Sequence, residues 1–183
     1  MDEQDLVTLC QSSDKRALRI LYDKYARLMM GVAMRYVVDR ESSKDILHDC
    51  FVKIFESIKG FEYRGVGSLN AWIRRIVVNT ALDFLKKKSS LNATGEIDTI
   101  AEIPTEEDSI EIYDEVSDDI IIECIGRLPD RLRVVFNLFI FEDTPHNEIA
   151  RLLGITESVS RVRVHRAKAL LAETIKLHIN RER

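Results

Sequence analysis

The chain has little of what interrupts helices or cross-links a fold. Its 183 residues include only 7 glycines, 3 prolines and 3 cysteines. With 45% hydrophobic and 32% charged residues, this composition predicts a soluble, mostly helical protein and argues against a fibrous or disordered one. The cysteines stand singly, without a CxxC motif or a Cys/His ligand spacing, so we expect idle thiols in a reducing cytoplasm.

Long hydrophobic runs and the common catalytic motifs are also missing. No stretch approaches the roughly 18–20 apolar residues that span a bilayer, and the acidic N-terminus is unlike a signal peptide. We therefore expect no direct insertion into a membrane. The chain has no P-loop, no G-x-S-x-G motif and no metal-ligand spacing, and its 4 histidines are far apart. These absences predict a protein that is not an enzyme and that needs no cofactor or metal.

Acidic residues are concentrated in one segment. The formal net charge is −4, yet residues 91–118 alone hold 10 acids and no base, while residues 1–90 and 119–183 carry net charges of +4 and +2. Such a segment repels itself and has few apolar residues, so we predict a flexible acidic linker between two small helical domains. Two interpretations of the linker stay open. It is either a solvated spacer or an acidic strand that imitates nucleic acid in a basic channel.

The sequence after the linker follows the pattern of a helix-turn-helix. Asp130 is predicted to cap one helix, and Thr144-Pro145 is typical of an N-cap followed by the first residue of the next. Gly154 is suited to the left-handed end of that helix, and Thr156 to the cap of the following one. In this motif the second helix enters the major groove of DNA.

The helix after Thr156 sorts its side chains by chemistry on a helical wheel. The side predicted to pack holds small or apolar residues: Ser160, Val164, Ala167 and Leu171. The residues predicted to face DNA lie on the opposite side and its flanks: Ser158, Arg161, Val162, Arg163, His165, Arg166 and Lys168. Flanking cations suit phosphate contacts, whereas Arg166 suits guanine and Val162 suits a thymine methyl group. The alternative is a solvated helix face without a DNA partner.

Three helices are predicted before the linker. The first covers residues 13–38 and is capped at Ser13, and the second covers residues 42–59. The third is capped by Ser68 and ends in a lysine cluster. The loop before Ser68 and the helix after it combine aromatic and cationic residues: Phe61, Tyr63, Arg64, Trp72, Arg75 and Lys86. Such a combination is used on single-stranded DNA, where aromatics stack on unpaired bases and cations counter phosphate charge. The alternative places the aromatics in the core and leaves the lysines to solubilise a helix end.

Two stretches together resemble a known family. KDILHDCFVKIFESIKGFEYRGVGSLNAWIRRIVVNTALDFLKKK resembles region two, and RLPDRLRVVFNLFIFEDTPHNEIARLLGITESVSRVRVHRAKALL resembles region four, of the bacterial RNA polymerase sigma factors. The resemblance is to the extracytoplasmic-function group of the sigma-70 family. It implies an all-α fold of two small domains that bind the polymerase core and the minus-ten and minus-thirty-five promoter elements. It also implies a linker that threads toward the polymerase active-site cleft.

The resemblance assigns roles to individual residues. One helix matches the family's docking helix for the polymerase clamp through Asp45, Asp49, Phe51 and Phe55, and His48 completes the set at a position where a glutamine is more usual. Loop 61–68 matches the segment that holds a base flipped from the minus-ten strand, Trp72 the aromatic that supports it, and Asn79 the asparagine that contacts the melted strand. The minus-ten set is Phe61, Tyr63, Arg64, Ser68, Trp72, Arg75, Asn79 and Lys86. Val159 and Val162 replace small hydroxyl residues, so we expect an altered base preference or a lost phosphate hydrogen bond.

The partners that follow from the resemblance are the RNA polymerase core, promoter DNA as duplex and as melted single strand, and an anti-sigma factor. The main alternative is a stand-alone transcriptional regulator, with a C-terminal helix-turn-helix and an N-terminal sensing or dimerising domain. That alternative predicts binding to duplex DNA without polymerase, ideally to a palindrome. It also requires the N-terminal aromatics and lysines to be structural.

Overall fold

The computed structural model of the chain describes residues 1–88 and 118–181, with side chains for 1–88 and 120–179. Two compact units, Met1–Leu85 and Lys86–Arg183, make up the chain, and all secondary structure in the described ranges is helical. The predicted all-α fold with two small helical domains is confirmed. The acidic linker, apart from the backbone of Asp118, lies outside the described residues, and the bounds 1–90, 91–118 and 119–183 stay predictions. No helix in the described ranges is long and apolar enough to cross a membrane.

Four α-helices and one short turn of 3-10 helix form the N-terminal unit, and the last helix runs two residues beyond the unit's bound at Leu85. They are α1 (Glu3–Gln11), α2 (Lys15–Tyr36), α3 (Arg40–Ser57), the 3-10 turn (Ile58–Gly60) and α4 (Ser68–Lys87). Carboxylates cap the first three helices by accepting a backbone N–H three residues on: Asp2, Asp14 and Asp39. Large aliphatic side chains on the inner faces form the core, and each contributes about 1.5–3 kcal/mol when fully buried.

Three details of the sequence prediction are wrong in this unit. Ser68 is the first residue of α4 rather than its cap, and its hydroxyl bonds the backbone of the preceding loop. Ser13 does not cap α2, because it adopts a left-handed conformation with φ of 63° in the turn after α1, and the Asp14 carboxylate is the cap. The helix predicted over residues 42–59 begins earlier, at Arg40, because Asp39 supplies its cap. Helix α1 was not predicted. Its signals are Asp2 as N-cap and the buried Leu6, Val7 and Cys10 at helical spacing.

The C-terminal unit holds α5 (Asp118–Gly126), α6 (Asp130–Ile140), α7 (His146–Leu153) and α8 (Glu157–Arg181). Helix α8 contacts all three others, and its inner side shares one apolar core with α5 and α6. The predicted helix-turn-helix signals are confirmed at the turn. Gly154 ends α7 in the left-handed region with φ of 67°, and Thr156 Oγ1 accepts the Val159 N–H at 3.2 Å. The turn that sets α8 against α7 therefore follows from local chemistry.

The other two predicted caps of this unit are shifted by one residue. Helix α7 begins at His146, and the N-cap is Pro145, whose carbonyl accepts the N–H groups of Glu148 and Ile149. Likewise Pro129, not Asp130, is the N-cap of α6. The Asp130 carboxylate instead pairs with the Arg133 guanidinium. In both cases the residue before the helix is a proline, which offers no capping side chain and accepts two first-turn N–H groups through its carbonyl.

The three cysteines are free and buried. Burial raises the pKa of each thiol, that of Cys10 to about 11, so the thiols stay protonated at neutral pH. This environment fits the idle role expected from their spacing, since the thiolate is the reactive form of cysteine. Within the described part of the chain, no cluster of His, Cys, Asp or Glu is placed to hold a metal ion.

A buried arginine closes the junction between α5 and α6. Arg133 is only 4% exposed, and its Nη1 donates to the carbonyl oxygens of Leu128 at 2.7 Å and Gly126 at 3.3 Å. These carbonyls lie at and just beyond the end of α5, where the helix cannot supply donors of its own. The ion pair with Asp130 balances the charge of the guanidinium. Arg133 therefore stabilises the junction by satisfying backbone groups as well as by pairing charge.

Arg133→Ala should lower the free energy of unfolding of the C-terminal unit by about 2–3 kcal/mol, because it leaves buried carbonyl oxygens without a donor. Urea unfolding followed by the NMR resonances of residues 120–179 measures this loss. Arg127→Ala is the matched control. It removes an exposed pair with Glu123 and should cost less than about 1 kcal/mol. Equal losses in the two variants would show that the buried contacts of Arg133 add nothing.

Candidate nucleic-acid interface

The loop of residues 61–67 projects from the N-terminal unit between the 3-10 turn and α4. Gly65 and Gly67 take φ values of 112° and 89°, which side-chain-bearing residues rarely adopt. Between them, Val66 is 93% exposed. The two glycines thus turn the backbone sharply and present an apolar side chain to solvent. Val66 was not selected from the sequence, although the Gly-Val-Gly pattern is a visible signal for such a turn.

The predicted aromatic residues line the base of this loop. The rings of Phe61 and Trp72 lie 4.9 Å apart between centroids, and both side chains remain partly exposed, as does Tyr63. Ser68 Oγ donates to the Gly65 carbonyl at 2.7 Å and accepts the Arg64 N–H at 3.2 Å, which closes the loop onto α4. The aromatic faces are therefore supported by α4 without being sealed inside the core.

One face of α4 continues the surface of the loop. Arg75, Asn79 and Lys86 are all exposed, and their spacing places them along the same side of the helix. Asn79 also borders an open cleft between α3 and α4, lined by Lys53, Glu56, Ser57, Ile76, Thr80 and Asp83. Lys53 Nζ donates to Thr80 Oγ1 at 3.0 Å, so one cation of the cleft is held in place. The structure thus places three of the predicted minus-ten residues on one exposed side of the helix that begins at the end of the loop.

The predicted polymerase-binding residues of α3 divide into two groups. Asp45, His48 and Asp49 are exposed, and Phe55 is half-buried. Phe51 is only 3% exposed, and its ring packs against those of Tyr22 at 4.7 Å and Phe55 at 5.8 Å. A direct polymerase contact by Phe51 stays a prediction, since the structure shows only that little of this residue reaches the surface of α3. Its position on the inner side of α3 makes it a core residue that supports Phe55.

Helix α8 is the second, or recognition, helix of the motif. Its predicted packing side is confirmed, because Ser160, Val164, Ala167 and Leu171 are all buried. Among the residues predicted to face DNA, five reach solvent wholly or partly: Ser158, Arg161, His165, Arg166 and Lys168. Val162 and Arg163 are 5% and 4% exposed, so their predicted outward position is wrong. A helical wheel assumes one covered side, whereas α5, α6 and α7 all contact α8 and cover more of its circumference.

A histidine that the sequence did not single out joins the two helices of the motif. His146, at the start of α7, lies with Nδ1 2.9 Å from Ser160 Oγ, and its ring stacks on Phe139 at 4.5 Å. Burial lowers the pKa of His146, and the nearby Arg161 lowers it further. Lys168 acts in the same direction and Glu157 in the opposite one. The imidazole is therefore neutral at pH 7. Nearby cations and the positive end of the α7 dipole both disfavour its protonated form.

These features define a protein of the helix-turn-helix class whose other unit carries an exposed loop bordered by partly exposed aromatic residues. Residues 21–91 match the family described as Sigma-70 region 2, and residues 118–171 match Sigma-70, region 4. Together the two matches span more than half of the chain. The protein belongs to the sigma-70 family, in its extracytoplasmic-function group, and the resemblance noted from the sequence is confirmed.

Curated relatives match over nearly the whole chain. The ECF RNA polymerase sigma-E factor of Haemophilus influenzae is 26% identical and covers 96% of both chains. The RNA polymerase sigma-H factor of Pseudomonas aeruginosa is also 26% identical, over 94% of this chain and 93% of its own. A solved structure of CnrH in complex with the cytosolic domain of CnrY shares the fold, with a TM-score of 0.51, 18% identity and coverage of 96% and 97%.

Acid should destabilise the C-terminal unit through His146. Because the folded state lowers the pKa of this histidine, the unfolded chain binds the proton more readily. The stability that His146 contributes is thus present above the ordinary value of 6.5 and is lost as the pH falls below it. Urea unfolding at a series of pH values, followed by the resonances of residues 120–179, measures the loss.

His146→Gln should flatten this pH dependence, because glutamine cannot be protonated in that range. His48→Gln, on the exposed side of α3, is the matched control and should leave the acid dependence of the C-terminal unit unchanged. An acid dependence that persists in His146→Gln would assign the effect to another group.

Proposed function

We propose that this protein is the promoter-specificity subunit of a bacterial RNA polymerase, which directs the core enzyme to particular promoters and helps to melt them. One observation carries the proposal. A region 2 match and a region 4 match follow each other in one chain, and relatives named as RNA polymerase sigma factors match it over nearly its full length. These full-length matches do not support a stand-alone regulator, whose N-terminal domain would be of another kind.

The polymerase core binds the exposed side of α3 in this proposal. Asp45, His48 and Asp49 present two carboxylates and an imidazole within about one helical turn, and Phe55 adds a half-buried aromatic surface beside them. Charged and aromatic groups in such an arrangement suit a polar rim around an apolar contact. Phe51 supports this surface, because its ring packs against Phe55.

The melted minus-ten strand binds the loop of residues 61–67 and the adjoining face of α4. Phe61, Tyr63 and Trp72 are partly exposed and offer surfaces on which an unpaired base can stack. Flipping a base costs a few kcal/mol of lost stacking, which a preformed pocket offsets. Arg64, Arg75, Asn79, Ser68 and Lys86 supply cations and hydrogen-bonding groups for the strand.

The duplex minus-thirty-five element binds the exposed part of α8. Arg161 and Lys168 suit phosphate oxygens, which position the protein, and Arg166, Ser158 and His165 suit base edges in the major groove. Each of the two DNA contacts is small. Held together on one polymerase, they act at high effective concentration on the same promoter.

We place the protein in the cytoplasm, where polymerase and promoters are, and we propose that it has no catalytic activity and no cofactor of its own. An anti-sigma factor is the regulatory partner that family membership implies. The acidic linker of residues 91–118 lies outside the described residues. Its threading toward the active-site cleft of the polymerase is a proposal that rests on family membership and on its charge.

Run-off transcription with purified core polymerase tests the function directly. Core enzyme alone starts transcription without promoter preference. With the chain added, it should start transcription at defined genomic sites. Mapping those sites gives the promoter sequence. Binding to a duplex palindrome without polymerase, together with no effect on start sites, would contradict the proposal and favour the stand-alone regulator.

Arg166 and Arg161 should differ in what they contribute to promoter binding. Arg166→Ala should cost about 1–3 kcal/mol at one base pair of the minus-thirty-five element and relax the preference there. Arg161→Ala should weaken binding to all sequences alike and reduce the slope of log affinity against log salt by about one. Holoenzyme binding to promoter fragments over a series of salt concentrations measures both. An unchanged base preference in Arg166→Ala would show that this side chain does not read sequence.

A further inference from the structure

Helix α1 makes polar contacts with the start of the loop of residues 61–67. Gln11, the last residue of α1, donates from Nε2 to the Phe61 carbonyl at 2.8 Å and to the Ile58 carbonyl at 3.3 Å. Phe61 is the first residue of the loop and carries the ring that packs on Trp72. One amide group therefore holds the backbone where the 3-10 turn ends and the loop begins.

The first turn of α1 contacts the other end of the same loop. Glu3 Oε1 accepts the N–H of Gly67 at 3.0 Å and the N–H of Leu69 at 3.4 Å. These N–H groups lie at the start of α4, where the helix leaves its donors without internal partners and where negative charge is favoured. Glu3 Oε2 in turn lies 3.4 Å from the Tyr25 hydroxyl, which donates to it from α2. The carboxylate thus links three parts of the unit.

The negative charge of Glu3 contributes to a raised pKa of two nearby tyrosines. The pKa of Tyr25 is raised to about 12, by burial first and then by Glu3. The pKa of Tyr63, in the middle of the loop, is also raised, by burial and then by Glu3 and Asp2. Both shifts agree with the position of Glu3 beside the loop, which its bonds to the Gly67 and Leu69 N–H groups show directly.

The loop has few restraints of its own. Two of its residues are glycines, which lose the most conformational freedom when they are ordered. Its local contacts include the Ser68 bonds to Arg64 and Gly65, the Phe61–Trp72 packing and an exposed ion pair between Arg64 and Glu62 at 3.2 Å. An exposed loop of this kind is expected to sample many conformations unless neighbouring elements hold it. The contacts from α1 supply that restraint at both ends.

We propose that Glu3 and Gln11 are positioning residues for recognition of the melted promoter strand. They hold the loop of residues 61–67 in one conformation and touch no DNA themselves. Removing them leaves the aromatic and cationic side chains present but widens the range of positions they occupy, so discrimination between bases falls more than overall affinity. The inference rests on the proposed function, since it assumes that this loop binds the minus-ten strand.

The test uses holoenzyme reconstituted from core polymerase and the full chain. The probe is a single-stranded oligonucleotide with the minus-ten sequence mapped by run-off transcription, compared with the same oligonucleotide carrying one substituted base. The double variant Glu3→Ala/Gln11→Ala should lower the preference for the correct base by about three- to tenfold, as expected for the loss of one or two hydrogen bonds. Affinity for core polymerase should not change.

Helix α1 supplies its own matched control. Asp5→Ala/Gln4→Ala likewise removes one carboxylate and one side-chain amide, from exposed positions of α1, and should keep the wild-type preference. The single variant Glu3→Gln retains an oxygen acceptor for the Gly67 and Leu69 N–H groups. It should therefore keep most of the wild-type preference for the correct base. General destabilisation would weaken binding to correct and substituted oligonucleotides equally.

The outcomes separate the inference from the proposed function. A double variant that discriminates bases as well as the Asp5→Ala/Gln4→Ala control would overturn the role of Glu3 and Gln11. Wild-type chain that fails to bind core polymerase or to prefer any promoter would instead overturn the proposed function. If circular dichroism shows that the double variant is unfolded, the single variants Glu3→Ala and Gln11→Ala are measured instead. The deciding quantity is again the affinity for the correct oligonucleotide relative to the substituted one.

Discussion

Backbone groups at helix ends need hydrogen-bond partners, and in this protein side chains from neighbouring helices supply several of them. Arg133 on α6 donates to the carbonyls at the end of α5. Glu3 accepts N–H groups at the start of α4, and Gln11 donates to carbonyls in the 3-10 turn and the loop that follows. Because a helix cannot satisfy its own terminal groups, these contacts set how successive helices join. The joins, in turn, place the surfaces that meet DNA.

The two proposed DNA surfaces use this support in different ways. In the C-terminal unit, α8 is held by an apolar core and by the His146–Ser160 contact, so the recognition helix is a rigid element. In the N-terminal unit, the exposed loop of residues 61–67 has no core of its own and depends on contacts at its ends. A rigid helix suits reading of duplex DNA by shape and base edges, whereas a held loop suits capture of a single unpaired base.

Local patterns in the sequence were enough to predict much of both surfaces. Gly154 and Thr156 give the turn of the helix-turn-helix, because a left-handed residue and a hydroxyl cap act on their immediate neighbours. Helical spacing identified the packing side of α8, and the aromatic and cationic residues before Ser68 identified the loop before α4. Local patterns do not show contacts between distant elements. Phe51 packs against Tyr22 of α2, and the Glu3 and Gln11 contacts span 64 and 50 residues.

By itself the sequence determined the all-α class, the helix-turn-helix, the acidic character of residues 91–118 and the family. The first three follow from composition and spacing, which act over a few turns of helix, and the family follows from the resemblance of two stretches to its regions two and four. Tertiary structure alone decided that Val162 and Arg163 are buried and that α1 holds the loop. Burial and long-range hydrogen bonds depend on which helices meet, and periodicity within one helix carries no information about the neighbours that cover it.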